Sequence, residues 1–261
     1  MTWWQGVILG LVQGLTEFLP VSSSGHLRVI EVLTGVKAPG VFVEVSLHVA
    51  TLFAVLVVYG ASLWSIVRGT LSGDRASLRR AGLLVIATIP AAILGVLFHK
   101  QVEEAATSLV FIGICFAITG IALWSTKGRH GMRPEPTVAG AVVIGLAQSV
   151  AALLRGISRS GSTVTAALWV GLDPTDAAEF SFLLSIPIIA GAALVEGRHA
   201  TVDIAAVGAG SLALSFAVAF VAGIFSIRFL VAMLKRGRFY LFAPYCWAAG
   251  LFVIAYGLWH P

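Results

Sequence analysis

Glu17 stands four residues after Gln13, ahead of Pro20, three consecutive serines (Ser22, Ser23 and Ser24), Gly25 and His26. A carboxylate, hydroxyls and an imidazole within ten residues can remove a proton, deliver one, or attack an electrophile. A second cluster, Ser158-Arg159-Ser160-Gly161 followed by Thr163, sets a guanidinium among small hydroxylated residues. Arginine offers a planar fork of donors suited to phosphate oxygens, and a helix opening at such serines adds backbone N–H groups and a positive dipole end. Together the clusters suggest an anion site with a proton-handling group beside it, best suited to a phosphate or diphosphate. Plainer readings stand next to this one. Glu17 and Arg159 can form a buried pair that only locks two segments together, His26 can be a hydrogen-bonded structural histidine, and serines at a helix break can merely satisfy backbone. Arg155 can simply snorkel to the interface. Glu44, His48 and Glu179 lie near helix ends, where a structural role is the simpler expectation.

The rest of the chain defines the setting for these groups. Of 261 residues 58% are hydrophobic and 11% charged, and the mean hydropathy is +0.96. A soluble domain carries about 25% charged residues, so the composition describes an all-α polytopic membrane protein and excludes a soluble enzyme, a disulfide scaffold or a disordered tail. Cys115 and Cys246 fall in apolar stretches and predict no disulfide. The opening Met-Thr-Trp-Trp-Gln lacks a positive n-region, so no cleaved signal peptide is expected, and Trp3 and Trp4 suit an interfacial anchor.

Spanning the hydrocarbon takes roughly 20 apolar residues. Six stretches qualify: 42–60, 81–98, 107–124, 177–195, 204–227 and 240–259. Regions 3–36 and 137–172 are apolar but interrupted by the two polar clusters. Irregular backbone at membrane depth persists only where protein or a wet cavity covers it, so both are expected to be re-entrant helical hairpins. Loops 61–80, 125–136 and 228–239 hold 11 of the 17 basic residues. Arg28, Lys37, Lys100 and Arg198 lie on the opposite side. The positive-inside rule then puts the basic loops in the cytoplasm and both termini outside. The net charge of +5 therefore reflects topology, and no nucleic-acid partner is expected.

Gly10-Leu-Val-Gln13 recurs as Gly145-Leu-Ala-Gln148, Ser22-Ser-Ser-Gly25 as Ser158-Arg-Ser-Gly161, and Glu44-Val-Ser46 as Glu179-Phe-Ser181, at offsets of 135, 136 and 135 residues. The chain thus divides into two copies, 1–135 and 136–261, each with one hairpin and three spans. An odd number of crossings inverts the second copy. Inverted repeats bring discontinuous helices together near the bilayer midplane, where ligand sites form. The two halves are expected to make one integrated membrane domain.

Gln13-Gly-Leu-Thr-Glu17-Phe-Leu-Pro-Val-Ser-Ser-Ser-Gly-His26 resembles the first signature of the undecaprenyl-diphosphatase (bacitracin-resistance) family. Gly156-Ile-Ser-Arg159-Ser-Gly-Ser-Thr163 resembles the second, and Glu179-Phe-Ser-Phe-Leu-Leu-Ser-Ile-Pro187 a stretch that follows it. The chain departs from the pattern at Arg155, where proline is usual, at Gln13, which takes the less acidic option, and at Ala50, where glycine is common. The resemblance implies a membrane phosphatase that converts undecaprenyl diphosphate to the monophosphate, recycles the carrier lipid for cell-wall synthesis and confers bacitracin resistance. It also implies a site open to the extracytoplasmic side of the plasma membrane and a divalent cation, Mg²⁺ or Ca²⁺. Glu17, with Gln13, would be the metal ligand. Glu17, Ser23, His26 and Arg159 would form the catalytic set, with Arg159 as clamp, His26 favoured as acid/base or nucleophile, and Ser23, with His26 as its base, the rival nucleophile. Gln13, Ser22, Ser24, Gly25, Ser158, Ser160, Gly161 and Thr163 would bind the polyprenyl diphosphate. A homodimer is compatible with the sequence but not specified by it. The rival class is a polyprenyl-phosphate flippase or transporter built on the same midplane anion site.

Overall fold

A computed structural model describes residues 1–35, 41–98, 108–154, 156–196 and 207–260. Lys37, Lys100, Arg155 and Arg198 lie outside the described residues. Ten α-helices run through the described chain: α1 (Trp3–Phe18), α2 (Ser23–Thr34), α3 (Val41–Leu71), α4 (Arg75–Leu97), α5 (Leu109–Trp124), α6 (Val138–Leu153), α7 (Arg159–Trp169), α8 (Pro174–Glu196), α9 (Ala209–Lys235) and α10 (Ala243–Trp259), with a 3₁₀ turn at Phe239–Phe242 before the last. No β-strand occurs among the described residues, which makes the fold all-α. Both cysteines are free and buried.

Five helical stretches are long and apolar enough to cross a membrane: Phe42–Leu71, Arg75–Leu94, Pro174–Leu194, Ala209–Lys235 and Phe239–Trp259. The remaining expected span, 107–124, is the 16-residue α5. It starts where the Ser108 side chain accepts from the Phe111 amide and extends about 24 Å at 1.5 Å per residue. The span expected at 42–60 continues to Leu71. Asp74 caps the next helix by accepting from the Ser77 amide at 2.8 Å, which makes the α3–α4 connection a tight turn. Each interrupted region has the expected helix–break–helix form. Helices α2 and α7, with 12 and 11 residues, are too short to span.

The broken segments are wedged against long helices by small residues. On α1, a Cβ added to Gly10 would lie 2.5 Å from the Ser215 carbonyl oxygen of α9. On α6, one added to Gly145, at the corresponding place in the sequence repeat, would lie 2.6 Å from the Ala87 carbonyl oxygen of α4. Close backbone approach through small residues is how helices pack where lipid removes the hydrophobic drive between them. Because the obstruction is backbone and not a flexible side-chain end, Gly10→Leu should lower stability by about 2 kcal/mol or more. Thermal unfolding in detergent reads this against Gly60→Ala, where a new Cβ meets nothing within 4 Å and the midpoint should not fall. The main core holds Phe18, Val55, Leu83, Leu172, Phe182 and Ile227. Phe18 meets Phe182 edge-to-face with ring centroids 5.3 Å apart, so the residue after Glu17 is anchored directly in the core.

Candidate active site

Helix α1 ends because Leu19 precedes a proline, which disfavours helical backbone at that residue; Leu19 is extended, with φ −62° and ψ 142°. The chain then reverses through Ser22, the one non-glycine residue with positive φ (72°) among those described. This conformation is uncommon for a residue with a Cβ and is held from several directions. The Ser22 hydroxyl accepts from the Gly25 amide, while its carbonyl accepts from the His26 amide and from His26 Nδ1–H at 2.8 Å. Ser22 is thus the N-cap of α2, and Ser23 begins the helix facing back toward the end of α1. At the second break, Ser158 caps α7 by accepting from the Gly161 amide at 3.0 Å.

The two breaks touch. The Ser160 hydroxyl donates to the Leu19 carbonyl at 3.2 Å, and a Cβ added to Gly25 would fall 3.3 Å from Gly156 Cα and 2.4 Å from the Phe116 ring. Gly25 is therefore needed for the approach itself. Arg159 crosses the junction and donates through one Nη to Glu17 Oε1. Glu17 Oε2 accepts from Gln13 Nε2 at 3.0 Å and from Ser23 Oγ–H at 2.7 Å. The carboxylate side chain is 4% exposed and the guanidinium 19%. The other Arg159 terminal nitrogen, Nη1, is buried with no partner among the described residues. A buried, unpaired guanidinium nitrogen is costly unless an acceptor meets it, and it lies at the mouth of a serine-capped helix.

Two residues enter this site that sequence reasoning assigned elsewhere or overlooked. His48 of α3 places Nε2 3.4 Å from Glu17 Oε2, an ion pair when the ring is protonated, while its Nδ1–H donates to the Glu44 carbonyl at 2.8 Å. Its membrane position was a usable signal, but the repeat pointed away from it, because the corresponding residue of the second half is Leu183. Tyr245 of α10 contacts His26 Nε2 through its hydroxyl at 2.7 Å. Since Nδ1 faces a carbonyl, the neutral ring carries its proton there, and the tyrosine hydroxyl donates to Nε2. The His26 ring stacks on Phe116 and on Tyr245, at 4.9 and 5.7 Å between centroids. No local pattern marks a tyrosine 219 positions away as its partner.

His26 has no hydrogen bond to Glu17, Ser23 or Arg159 among the described residues; the group bonded to Ser23 is Glu17. Several other candidates are engaged within the protein. Thr163 is buried, and its hydroxyl meets the Arg159 carbonyl at 2.8 Å and Ser181 Oγ at 2.5 Å. Ser158 Oγ and Ser160 Oγ lie 3.2 Å apart, and the Ser158 amide donates to Thr119 Oγ1 at 3.2 Å. Gly161 N is held by the Ser158 cap, and Ser162 N by the Ser158 carbonyl at 2.9 Å. The amides of Arg159 and Ser160, the first two of α7, have no acceptor among the described residues. Ser24 is partly exposed at the first turn of α2.

The donor set bears on the implied cation. No group of three or more His, Cys, Asp or Glu side chains is arranged to hold a metal among the described residues. Gln13 Oε1, beside Glu17, is buried without a partner. One carboxylate and one free amide oxygen fit a hard cation that draws its remaining ligands from a bound phosphate, as Mg²⁺ commonly does.

Fold and site define a class: an all-α, multi-pass membrane protein whose two helix breaks meet over a buried Arg–Glu–Ser cluster. Residues 6–252 match the family model of the bacitracin resistance protein BacA, and the chain belongs to that family. It is 44% identical over 268 residues to an undecaprenyl-diphosphatase of Desulfosudis oleivorans, covering 94% of this chain and 95% of that one. It is 40% identical over 278 residues to one of Desulforapulum autotrophicum, covering 98% and 99%. A protein of that name from Methanococcus vannielii is 37% identical over 255 residues, covering 97% and 99%.

Proposed function

We propose that this chain hydrolyses undecaprenyl diphosphate to undecaprenyl phosphate and orthophosphate, recycling the lipid carrier for cell-wall polymers and conferring bacitracin resistance. The observation that carries this reading is the unpartnered Arg159 Nη1 on a guanidinium that shares the Glu17 carboxylate with the Ser23 hydroxyl. Phosphoryl transfer asks a protein mainly for position and charge neutralisation. Arg159 Nη1 and the Arg159 and Ser160 amides bind the terminal phosphate. Ser23 Oγ attacks its phosphorus, the bond to the bridging oxygen breaks, undecaprenyl phosphate leaves, and the Ser23 proton passes to Glu17 Oε2. Water then attacks the phosphoserine phosphorus, the Ser23 Oγ–P bond breaks, Glu17 returns its proton to Ser23 Oγ, and water's own protons leave with the orthophosphate or to solvent. Glu17 and Gln13 would hold a divalent cation, Mg²⁺ or Ca²⁺, whose contribution is to offset diphosphate charge. His26, stacked and hydrogen-bonded at both ring nitrogens, orients the first turn of α2, which carries Ser23.

The site belongs, in this reading, to an inverted repeat of halves 1–135 and 136–261 in the plasma membrane, opening to the extracytoplasmic side with both termini outside. Two facts support it: the basic residues collect on one set of loops, and repeat-related Gly10 and Gly145 make like backbone contacts with α9 and α4. The transporter alternative gains nothing from the family or from the relatives' names.

The test is phosphate release from a C55 diphosphate by purified protein in detergent. Wild type should turn over, and binding or vesicle flux without release would overturn the reading. Within the same assay His26→Ala should cost about 10²-fold in turnover, because the turn that carries Ser23 loses its tie. Tyr245→Phe, which removes only the hydroxyl on Nε2, should cost under about tenfold by the same comparison.

A further inference from the structure

Away from the breaks, the α5–α6 connection (125–137) and the turn after α9 (235–242) meet at one end of the bundle. A Cβ on Gly237 would lie 3.3 Å from His130 Cε1, and Trp124, ending α5, packs against Tyr240 and Trp247 with centroids 5.6 Å apart in each case. Lys127 Nζ stands 5.0 Å above the Trp124 ring and 5.6 Å above Tyr240. Arg129 lies 5.9 Å over Trp169, whose indole N–H donates to Ser125 Oγ at 3.2 Å. Lys127, Arg129, Arg133, Lys235, Arg236 and Arg238 are all exposed. None of them forms a salt bridge among the described residues. In the other basic connection Arg80 is tied to Glu179 at 2.7 Å, and none of Arg68, Arg75 and Arg79 rests on an aromatic ring among the described residues.

Half-exposed tryptophans at the end of an apolar helix mark the headgroup level of a bilayer. Cations resting on those rings stand at the depth of lipid phosphates, and Arg129 also donates its Nε–H to the Ser125 carbonyl at 3.3 Å. Met132, 91% exposed between Arg129 and Arg133, adds a bare apolar group where a headgroup joins its acyl chains. We infer that these two connections form a binding site for an anionic phospholipid headgroup, with Lys127, Arg129 and Arg238 contacting the phosphate and Trp124 and Trp169 flanking the acyl chains. The site rests on the membrane setting and not on the phosphatase reading.

The experiment follows the melting midpoint of the purified full chain in non-ionic micelles during titration with phosphatidylglycerol, phosphatidylcholine or soluble glycerol phosphate. Phosphatidylglycerol alone should raise the midpoint. The triple variant Lys127→Gln/Arg129→Gln/Arg238→Gln should need at least ~10-fold more of it for half the effect. Arg68→Gln/Arg75→Gln/Arg79→Gln, which removes equal charge from the neighbouring connection, should titrate like wild type. Arg238→Gln alone, the mildest change, should shift the titration in the same direction. An equal response to phosphatidylcholine, an equal loss in both triple variants, or stabilisation by glycerol phosphate alone would each overturn the site. The readout is lipid binding and not turnover, so failure here and failure of the phosphatase reading are separate results.

Discussion

Ser23→Ala should reduce phosphate release by at least ~10³-fold, because the variant keeps the anion clamp and loses the attacking atom. The fold should tolerate the change. Ser23 follows the N-cap instead of serving as one, and its only side-chain bond among the described residues runs to Glu17 Oε2, which keeps Arg159 and Gln13 as partners. Turnover alone would not separate a nucleophile from a residue that merely positions Glu17. The second readout is therefore chemical: enzyme quenched with substrate labelled at the terminal phosphorus should carry acid-stable label on Ser23. Acid-labile label on a histidine, or Ser23→Ala retaining a tenth of wild-type turnover, would move the nucleophile to His26. That histidine is hydrogen-bonded at both nitrogens in the structure, to Ser22 and Tyr245, and would have to leave Tyr245 to attack.

The contrast between Ser23 and His26 shows what one dimension of information carries. The helix breaks were legible, since Pro20, the serine runs and the short flanking helices follow from local backbone rules. So was the meeting of the breaks, because two polar clusters in so apolar a chain have few places to go except each other. Which hydroxyl faces the carboxylate was not legible. Ser22, Ser23 and Ser24 have the same side chain, and only the positive φ at Ser22 aims the second of them at Glu17. Thr163 read as a ligand-binding hydroxyl, yet it closes a bond to Ser181 eighteen residues away. His48 and Tyr245 reach the site from helices whose own pattern is simply apolar. Their roles arise from packing, with α3 and α10 brought to the site by contacts far apart in the chain.

Arg159→Ala should abolish more than ~10² of the turnover through loss of a preorganised donor, and the chief objection is that Arg159 also holds the fold together. Removing one partner of a buried pair costs about 3–5 kcal/mol, because the other charge is stranded; Glu17, 4% exposed, would be left to His48, Gln13 and Ser23. A loss of activity would then be ambiguous by itself. The double variant Glu17→Gln/Arg159→Ala removes the stranded charge along with its partner, so the melting midpoint should return toward wild type; because Glu17 is also the proton acceptor, the clamp is read there from binding of inorganic phosphate, which should stay lost. Arg159→Lys adds a finer test. An ammonium is a single point of charge and cannot place one nitrogen on Glu17 and a second on phosphate, as the guanidinium fork does. The lysine variant should therefore melt near wild type, saturate with substrate at higher concentration and turn over at least ~10-fold more slowly, intermediate between wild type and alanine. If the double variant bound phosphate as wild type does once its stability returned, Arg159 would be a structural tie between two helix breaks, and its unpartnered nitrogen would have to find its acceptor elsewhere than on the substrate.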